Sequence, residues 1–157
     1  MDLKHSEDYY VKILLNKVKI SEIMTPKVIT VNEHDRFSLV EEKMRSFHIR
    51  HLPVVDDDGK LVGILTQRDL YRAQSPRRLE DGTWYYDQNS LDSNILNVVM
   101  TKKPYSLNPE DSVAKAILVM AERKYGCIPI VQKDGVLCGI ITQHDILKIA
   151  AQIIREK

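Results

Sequence analysis

The chain carries the same seven-residue pattern twice. "GILTQRD" occupies residues 63–69, and "GIITQHD" occupies residues 139–145, 76 positions later. The same offset relates the two copies without a gap from Met24 and Met100 onward. Self-similarity at a fixed offset is the sequence signature of a duplicated structural unit. The fold must therefore accommodate two copies of one arrangement.

Each copy predicts a strand and then a helix. The short β-prone runs "KVITV" and "PYSL" predict the opening strands. We expect Asn32 to cap the first helix and Asn108 to cap the second, with Pro109 in its first turn. Gly126 is expected to end the second helix in the left-handed conformation. Helical spacing predicts the buried positions, namely Phe37, Val40 and Met44 in the first copy and Val113, Ala116, Ile117 and Met120 in the second.

Two apolar runs around an Asp-Gly pair follow in each copy. "HLPVVDDDGKLVGILT" and "CIPIVQKDGVLCGIIT" predict β-hairpins that run directly into a last helix. Residues 56–58 are three consecutive aspartates without the alternating spacing of a calcium loop, so they predict a turn. One copy alone could not bury its sheet. The sequence therefore predicts an α+β fold of two βαββα units, packed face to face about a pseudo-twofold axis.

These patterns divide the chain into four parts. We expect an N-terminal helical extension over 1–17, a first unit over 18–73, a connector over 74–93, and a second unit with a C-terminal helix over 94–157. The connector is predicted to be irregular, and it contains Trp84, Tyr85 and Tyr86. We expect these rings to cover an edge of the core, with a lid over a ligand or a partner contact as alternatives.

Composition limits the class of protein. With 157 residues, 43% hydrophobic and 29% charged, the chain is long enough to bury a core, which argues against disorder. Its 23 basic and 22 acidic residues are interspersed, which argues against a nucleic-acid or membrane surface. Cys127 and Cys138 lack the spacing of a redox or zinc site and are expected to be buried free thiols. No apolar stretch approaches the roughly 20 residues of a membrane span, and we expect a cytoplasmic protein.

The threonine and aspartate of each repeated heptad admit two interpretations. Thr66 and Asp69, like Thr142 and Asp145, stand three residues apart at a predicted strand-to-helix junction, which is the spacing of a capping box. The same junction suits a nucleotide, because a helix start favours phosphate and a carboxylate can accept hydrogen bonds from ribose hydroxyls.

The repeated segments resemble the tandem cystathionine β-synthase (CBS) domain pair, also called the Bateman module. The likeness rests on "IMTPKVITVNEHD", "RHLPVVDDDGKLVGILTQRDL", "VMTKKPYSLNPED" and "GCIPIVQKDGVLCGIITQHDI", and covers roughly residues 18–73 and 94–151. It implies antiparallel pairing of the units, adenosine-containing ligands in clefts between them, and regulatory rather than catalytic work. No cofactor is required. AMP, ADP, ATP, S-adenosylmethionine and a dinucleotide all fit the motif.

The resemblance also implies which residues line the two clefts. The first cleft would join Ile140, Thr142, His144 and Asp145 to Ile29, Arg50, His51 and Leu52. The second would join Ile64, Thr66, Arg68 and Asp69 to Tyr105, Gly126, Cys127 and Ile128. Since Arg50 and His51 offer cationic donors where the second copy has Gly126 and Cys127, we expect the Asp145 cleft to bind the more phosphorylated ligand or to bind more tightly. The alternative is that both side chains only solvate a strand edge.

Three classes of function remain. The leading hypothesis is a stand-alone, energy-sensing regulator that binds an adenosine nucleotide and acts on an unknown effector protein, with no nucleic-acid polymer and no membrane as partner. The second is a ligand-free structural or assembly module. Catalysis is disfavoured because the nucleotide-loop, metalloprotease and serine-hydrolase motifs are all missing from the sequence. We therefore predict no catalytic residue, and no metal site at the His48 and His51 pair.

A homodimer is expected from the two ends of the chain. The helix predicted over Ser6–Lys17 carries Tyr10, Leu14 and Val18 on one face. The last helix carries four isoleucines, namely Ile146, Ile149, Ile153 and Ile154. These side chains could pack internally or form an interface, and the family commonly associates into flat dimers.

Overall fold

The computed structural model describes residues 3–74, 76–85, 92 and 96–155. In chain order its elements are α1 (Leu3–Lys17), a 3-10 turn (Ile20–Glu22), β1 (Val31–Asn32), α2 (Phe37–Ser46), β2 (His51–Val55), β3 (Leu61–Thr66), α3 (Gln67–Ala73), β4 (Arg77–Arg78), β5 (Trp84–Tyr85), α4 (Leu96–Val99), β6 (Thr101–Lys102), α5 (Val113–Arg123), β7 (Cys127–Val131), β8 (Leu137–Thr142) and α6 (Gln143–Arg155).

The chain forms two compact units. The middle unit is Ile29–Pro104, and the terminal unit combines Met1–Val28 with Tyr105–Lys157. Each unit has its own apolar core. In the middle unit Val40, Leu52 and Leu65 are fully buried, and in the terminal unit Ala116, Ile130 and Ile141 are fully buried. The α+β class and the tandem arrangement are confirmed.

The sheet of the middle unit has the strand order β1-β2-β3-β6. β1 is parallel to β2, and the β2–β3 hairpin and the β3–β6 pair are antiparallel. The terminal unit repeats this order: Leu107 forms a parallel bridge to Ile130 in β7, β7 pairs with β8, and Thr25 forms an antiparallel bridge to Ile140. Each of these contacts is related to its counterpart by the same offset of 76 residues.

The compact units do not coincide with the two sequence copies. β6 opens the second copy but pairs with β3 of the first, while Thr25 from the first copy pairs with β8 of the second. Each copy thus contributes its opening segment to the other unit. A glycine allows this approach, because a Cβ at Gly63 would overlap the sulfur of Met100.

The predicted helix caps at the two asparagines are wrong. α2 begins only at Phe37, because the Asn32 N–H donates to the Asp35 carboxylate at 2.8 Å and closes a turn before the helix. The Asn108 N–H makes the equivalent bond to Asp111, so Pro109 also lies before the helix. Ser112 caps α5 instead, accepting from the Lys115 N–H at 3.2 Å.

The left-handed residue at the end of α5 is Lys124 rather than Gly126. Lys124 has φ 57°, and His48 occupies the same position after α2 with φ 51°. The hairpin prediction is confirmed, and its turns contain Gly59 and Gly135 at φ 76° and 86°. The opening strands are shorter than predicted, since β1 has only two residues and Leu107 forms a single bridge.

The buried helix positions are confirmed except at Ile117, which is half-buried. Helices at both ends of the chain are also confirmed. Of the apolar residues proposed for an interface, Tyr10 and Ile154 are 69% and 72% exposed, and α6 has no fully buried residue.

The connector contains a short hairpin of β4 and β5, where an irregular segment was predicted. Trp84 is 62% exposed, so it does not cover a core edge as expected. The Arg78 guanidinium carbon lies 5.9 Å from the centroid of the Trp84 ring. Tyr86 and the side chain of Tyr85 lie outside the described residues.

The contacts of Gly63 with Met100 and of Gly139 with Met24 predict that substitutions at the two partners will not have additive effects on stability. Gly63→Ala and Gly139→Ala should each lower the free energy of unfolding by about 1–3 kcal/mol, because the new methyl group overlaps Met100 or Met24. Urea denaturation measures this cost, and Val98→Ala, at an exposed position, is the control, expected within about 0.5 kcal/mol of the parent. Combining Gly139→Ala with Met24→Ala should cost less than the sum of the two single changes. Full additivity would show that this contact does not constrain the fold.

Candidate functional site

A threonine and an aspartate form a closed cap at the start of α3. The Thr66 hydroxyl oxygen accepts from the Asp69 N–H at 3.3 Å, and the Thr66 N–H donates to Asp69 Oδ2 at 2.8 Å. The hydroxyl also donates to the same Oδ2, at 2.7 Å. The capping-box interpretation is therefore correct.

The same cap recurs at the start of α6. Thr142 N–H and its hydroxyl donate to Asp145 Oδ2 at 2.8 and 2.9 Å, and the Asp145 N–H lies 3.4 Å from the threonine oxygen. In both caps every bond to the carboxylate uses Oδ2. Within the described part of the chain, Oδ1 of Asp69 and of Asp145 has no hydrogen-bond partner. Each carboxylate, half-buried in the first turn of its helix, retains one free acceptor.

The residues before each proline lie beside these caps. His51 is the cross-strand partner of Thr66, and the Gln67 N–H donates to the Arg50 carbonyl at 2.9 Å. In the second copy Cys127 is the partner of Thr142, and the Gly126 carbonyl accepts from the Gln143 N–H at 3.0 Å. Two of the first three N–H groups of each helix are thus satisfied by the protein. Less of the helix start is available to a phosphate than the sequence suggested.

The structure groups the predicted site residues by copy. The middle unit contains Ile29, Arg50, His51, Leu52, Ile64, Thr66, Arg68 and Asp69, and the terminal unit contains Tyr105, Gly126, Cys127, Ile128, Ile140, Thr142, His144 and Asp145. The cross-copy grouping implied by the family resemblance stays a prediction. Leu52 and Ile128 are fully buried in their cores, so they offer a ligand only backbone atoms.

The ionisable groups of the two copies differ. Burial, assisted by the neighbouring Arg50, lowers the pKa of His51, which disfavours the cationic form expected of this residue. Burial raises the pKa of the Cys127 thiol to about 12. Burial also raises the pKa of Cys138, with Asp134 contributing. Both cysteines are free thiols, and neither is a thiolate near neutral pH.

The acidic turn and the histidine pair have local structural explanations. Asp56 accepts from the N–H groups of Asp58 and Lys60 at 3.0 and 2.8 Å, as a turn residue does. His48 follows α2, whereas His51 begins β2. Among the described residues, no group of three or more histidine, cysteine, aspartate or glutamate side chains could hold a metal ion.

Sequence reasoning missed an aromatic and cationic cluster in the second copy. The Tyr105 and Tyr125 ring centroids lie 6.2 Å apart, and the Arg123 guanidinium carbon lies 5.3 Å from the centroid of Tyr105. The first copy has Ile29, Ile49 and Phe47 at the positions equivalent to Tyr105, Tyr125 and Arg123. Aligning the copies at every position, rather than only at the repeated heptad, would have revealed this difference.

One further contact distinguishes the first copy. Lys43 Nζ donates to the Thr30 carbonyl at 2.6 Å and so holds the segment beside Ile29. Val119 occupies the equivalent position in the second copy.

Membrane insertion by a helix is not supported for the described residues, since none of their helices combines the length and the apolar character that a span requires.

Solved structures resemble the chain over most of its length. The CBS domain of a CBS domain containing membrane protein from Sphaerobacter thermophilus is 29% identical, with a TM-score of 0.73, covering 92% of this chain and 95% of that one. CBSX2 of Arabidopsis thaliana, in complex with AMP, is 24% identical, with a TM-score of 0.71, covering 86% of this chain and 97% of that one.

Sequence comparison gives the same result. A CBS domain-containing protein of Dictyostelium discoideum is 28% identical over 139 residues, which are 88% of this chain and 94% of the relative. The chain also matches a homoserine O-acetyltransferase of Methanococcus vannielii at 26% identity, but spans only 26% of the length of that relative. The CBS domain model matches residues 20–76 and 95–152. With two matched segments covering most of its length, the chain belongs to the CBS domain family as a tandem pair.

Proposed function

We propose that the chain is a regulatory CBS pair that binds an adenosine-containing ligand of the AMP, ADP or ATP class and signals to a partner protein. The free Oδ1 atoms of Asp69 and Asp145 carry this proposal. A half-buried carboxylate whose second oxygen has no partner can accept hydrogen bonds from the two ribose hydroxyls without losing its role in the cap. Capping and ligand binding are therefore compatible at the same residue.

The AMP complex of CBSX2 supports an adenosine ligand in this fold, although at 24% identity the likeness extends only to the fold. The ligand of this chain is proposed on its own chemistry. Ribose would bind the aspartates, and phosphate would bind basic side chains such as Arg50 and Arg68, since the amides at the helix starts are largely occupied.

The chemistry of the same site supports the proposal of regulation rather than catalysis. Its described groups are a cap, backbone atoms and cations, and neither cysteine has the lowered pKa of a nucleophile. Coupling to an effector requires that the ligand bind two conformations with different affinity. The effector and a cytoplasmic location belong to the proposal.

The second candidate function is a ligand-free assembly module. Exposed apolar side chains on α1 and α6 favour association, and we propose a homodimer in either case; they are Tyr9, Tyr10, Val11, Leu14, Leu147 and Ile154. Such a module would use Thr66 and Asp69 only as a helix cap.

Ligand stabilisation separates these two functions. An adenosine compound at 100 times its dissociation constant should raise the free energy of unfolding by about 2.7 kcal/mol, measured by thermal shift. Asp69→Ala together with Asp145→Ala should abolish the shift. Native mass spectrometry of gently purified protein would report a retained ligand and the subunit number together. The absence of a shift with adenosine, AMP, ADP, ATP and S-adenosylmethionine would favour the empty module.

A double-mutant cycle between Arg50 and each aspartate tests whether a ligand site is built from one copy or from both. Arg50→Gly introduces the residue that the second copy has at the equivalent position. AMP binding is measured by calorimetry on this variant, on Asp145→Ala, on Asp69→Ala, and on the two double variants that combine Arg50→Gly with each aspartate change. Following the family resemblance, we expect Asp145→Ala to weaken AMP binding more than Asp69→Ala does. We also expect the coupling energy between Arg50→Gly and Asp145→Ala to be about 0.5–3 kcal/mol, and larger than that between Arg50→Gly and Asp69→Ala. Stronger coupling to Asp69 would instead assign each site to one copy, as the register of β2 and β3 allows.

The lowered pKa of His51 predicts the direction in which the stability of the protein changes with pH. Its pKa is lowered in the folded protein, so its contribution to stability is fully present above about pH 6.5 and is lost as the pH falls through the folded pKa. A phosphate beside His51 would favour the charged form, so the contribution of His51 to AMP binding should increase as the pH falls and should be accompanied by proton uptake.

The matched control is His51→Cys, the residue of the second copy, which should lack both effects. Urea unfolding and AMP calorimetry at pH 7.5 and 5.5 measure them. If the free energy of unfolding and the AMP affinity changed with pH in the same way in the parent and in His51→Cys, His51 would not be the group responsible.

A further inference from the structure

Arg123 is an exposed cation without an acidic partner. It ends α5, and no carboxylate of the described residues lies within salt-bridge distance of it. Two lysines of the same unit are engaged: Lys115 donates to Asp111 at 2.8 Å, and Lys19 pairs with Glu110. The guanidinium of Arg123 therefore remains available to an anion.

The guanidinium is nonetheless held in place. It lies against the Tyr105 ring at 5.3 Å, and the Tyr125 ring lies 6.2 Å from that of Tyr105. Tyr125 is itself fixed, since its N–H donates to the Met120 carbonyl at 3.2 Å and its carbonyl accepts from Gln143 Nε2 at 3.3 Å. An arginine that rests on an aromatic face keeps its N–H donors free and loses less side-chain entropy when an anion binds.

The position of this cluster links it to the proposed ligand site. Tyr105 is one of the predicted site residues, and Tyr125 directly precedes two others, Gly126 and Cys127. The segment from Arg123 to Cys127 also crosses from α5 into β7, the strand whose first residue is the partner of Thr142. The cluster thus adjoins Tyr105, Gly126 and Cys127, the predicted site residues of the second copy that include no cation of their own.

Comparison of the two copies suggests what Arg123 binds. The first copy has Arg50 before its proline and Phe47 after α2, whereas the second has Gly126 and Arg123 at those positions. Each copy thus has a single arginine over these two positions, but at a different one. We propose that Arg123 binds the 5′-phosphate of an adenosine nucleotide at the site that Tyr105 lines, in place of the arginine missing at Gly126. This proposal rests on the proposed function above and adds a specificity-determining residue to it.

The experiment compares AMP with adenosine on the full chain. Calorimetry on Arg123→Gln should show AMP affinity about tenfold lower at one of the two binding steps, as expected for a lost charged hydrogen bond, while adenosine affinity changes less than about twofold. Arg123→Lys, which keeps the charge, should recover part of the loss. Lys133→Gln, in the β7–β8 turn of the same unit, makes the same charge change at an exposed residue and should leave both affinities unchanged. Adding Arg50→Gly should lower AMP affinity at the other step as well, again with less than about a twofold change for adenosine.

Each contrary outcome has a distinct meaning. Equal weakening of AMP and adenosine would show that Arg123 only positions the Tyr105 ring, and it would overturn the phosphate assignment. Unchanged AMP binding in Arg123→Gln would overturn it as well. If the parent protein bound none of adenosine, AMP, ADP, ATP and S-adenosylmethionine, the proposed function itself would fail. Thermal unfolding of each variant without ligand verifies that the fold is intact.

Discussion

The hydrogen bonds between each strand-end threonine and the aspartate one helical turn later determine how the hairpins meet their helices. One carboxylate oxygen receives both the backbone N–H and the hydroxyl of the threonine, so the end of the strand is tied to the first turn of the helix. The pre-proline residues are brought to the same place by the backbone bond from the first helical residue. The local interaction that ends a strand therefore also assembles the candidate ligand residues.

Local features of the fold could be predicted because they depend on short stretches of sequence. The hairpins follow from two apolar runs around an Asp-Gly turn, and the buried helix positions follow from helical spacing. The starts of the two helices could not be predicted from propensity alone. Asn32 and Asp35 satisfy the criteria for a cap, but their bond closes a separate turn, and the helix starts only at Phe37. The turn at Asn32 and a helix cap have similar sequence signals, so the sequence alone does not distinguish them.

The exchange of opening segments was beyond sequence reasoning for a different reason. Thr25 and Thr101 occupy equivalent positions in the two copies, and both hairpins present a glycine to a methionine. Nothing in the local pattern says which copy each segment will join. The candidate site shows the same limit, since the motif identified Thr66 and Asp69, whereas the neighbours of Tyr105 became visible only in three dimensions.

The exchanged segments have a consequence for the history of the chain. A polypeptide with a single repeat would contain β-strands equivalent to β2 and β3, but its opening segment would lie on the sheet of another molecule. Such an ancestor could complete its sheet only by trading that segment with a second molecule. Fusion of two genes would then have placed both partners of an obligatory association in one chain. Deletion of either half of the present chain would leave one edge of the remaining hairpin without its neighbouring strand.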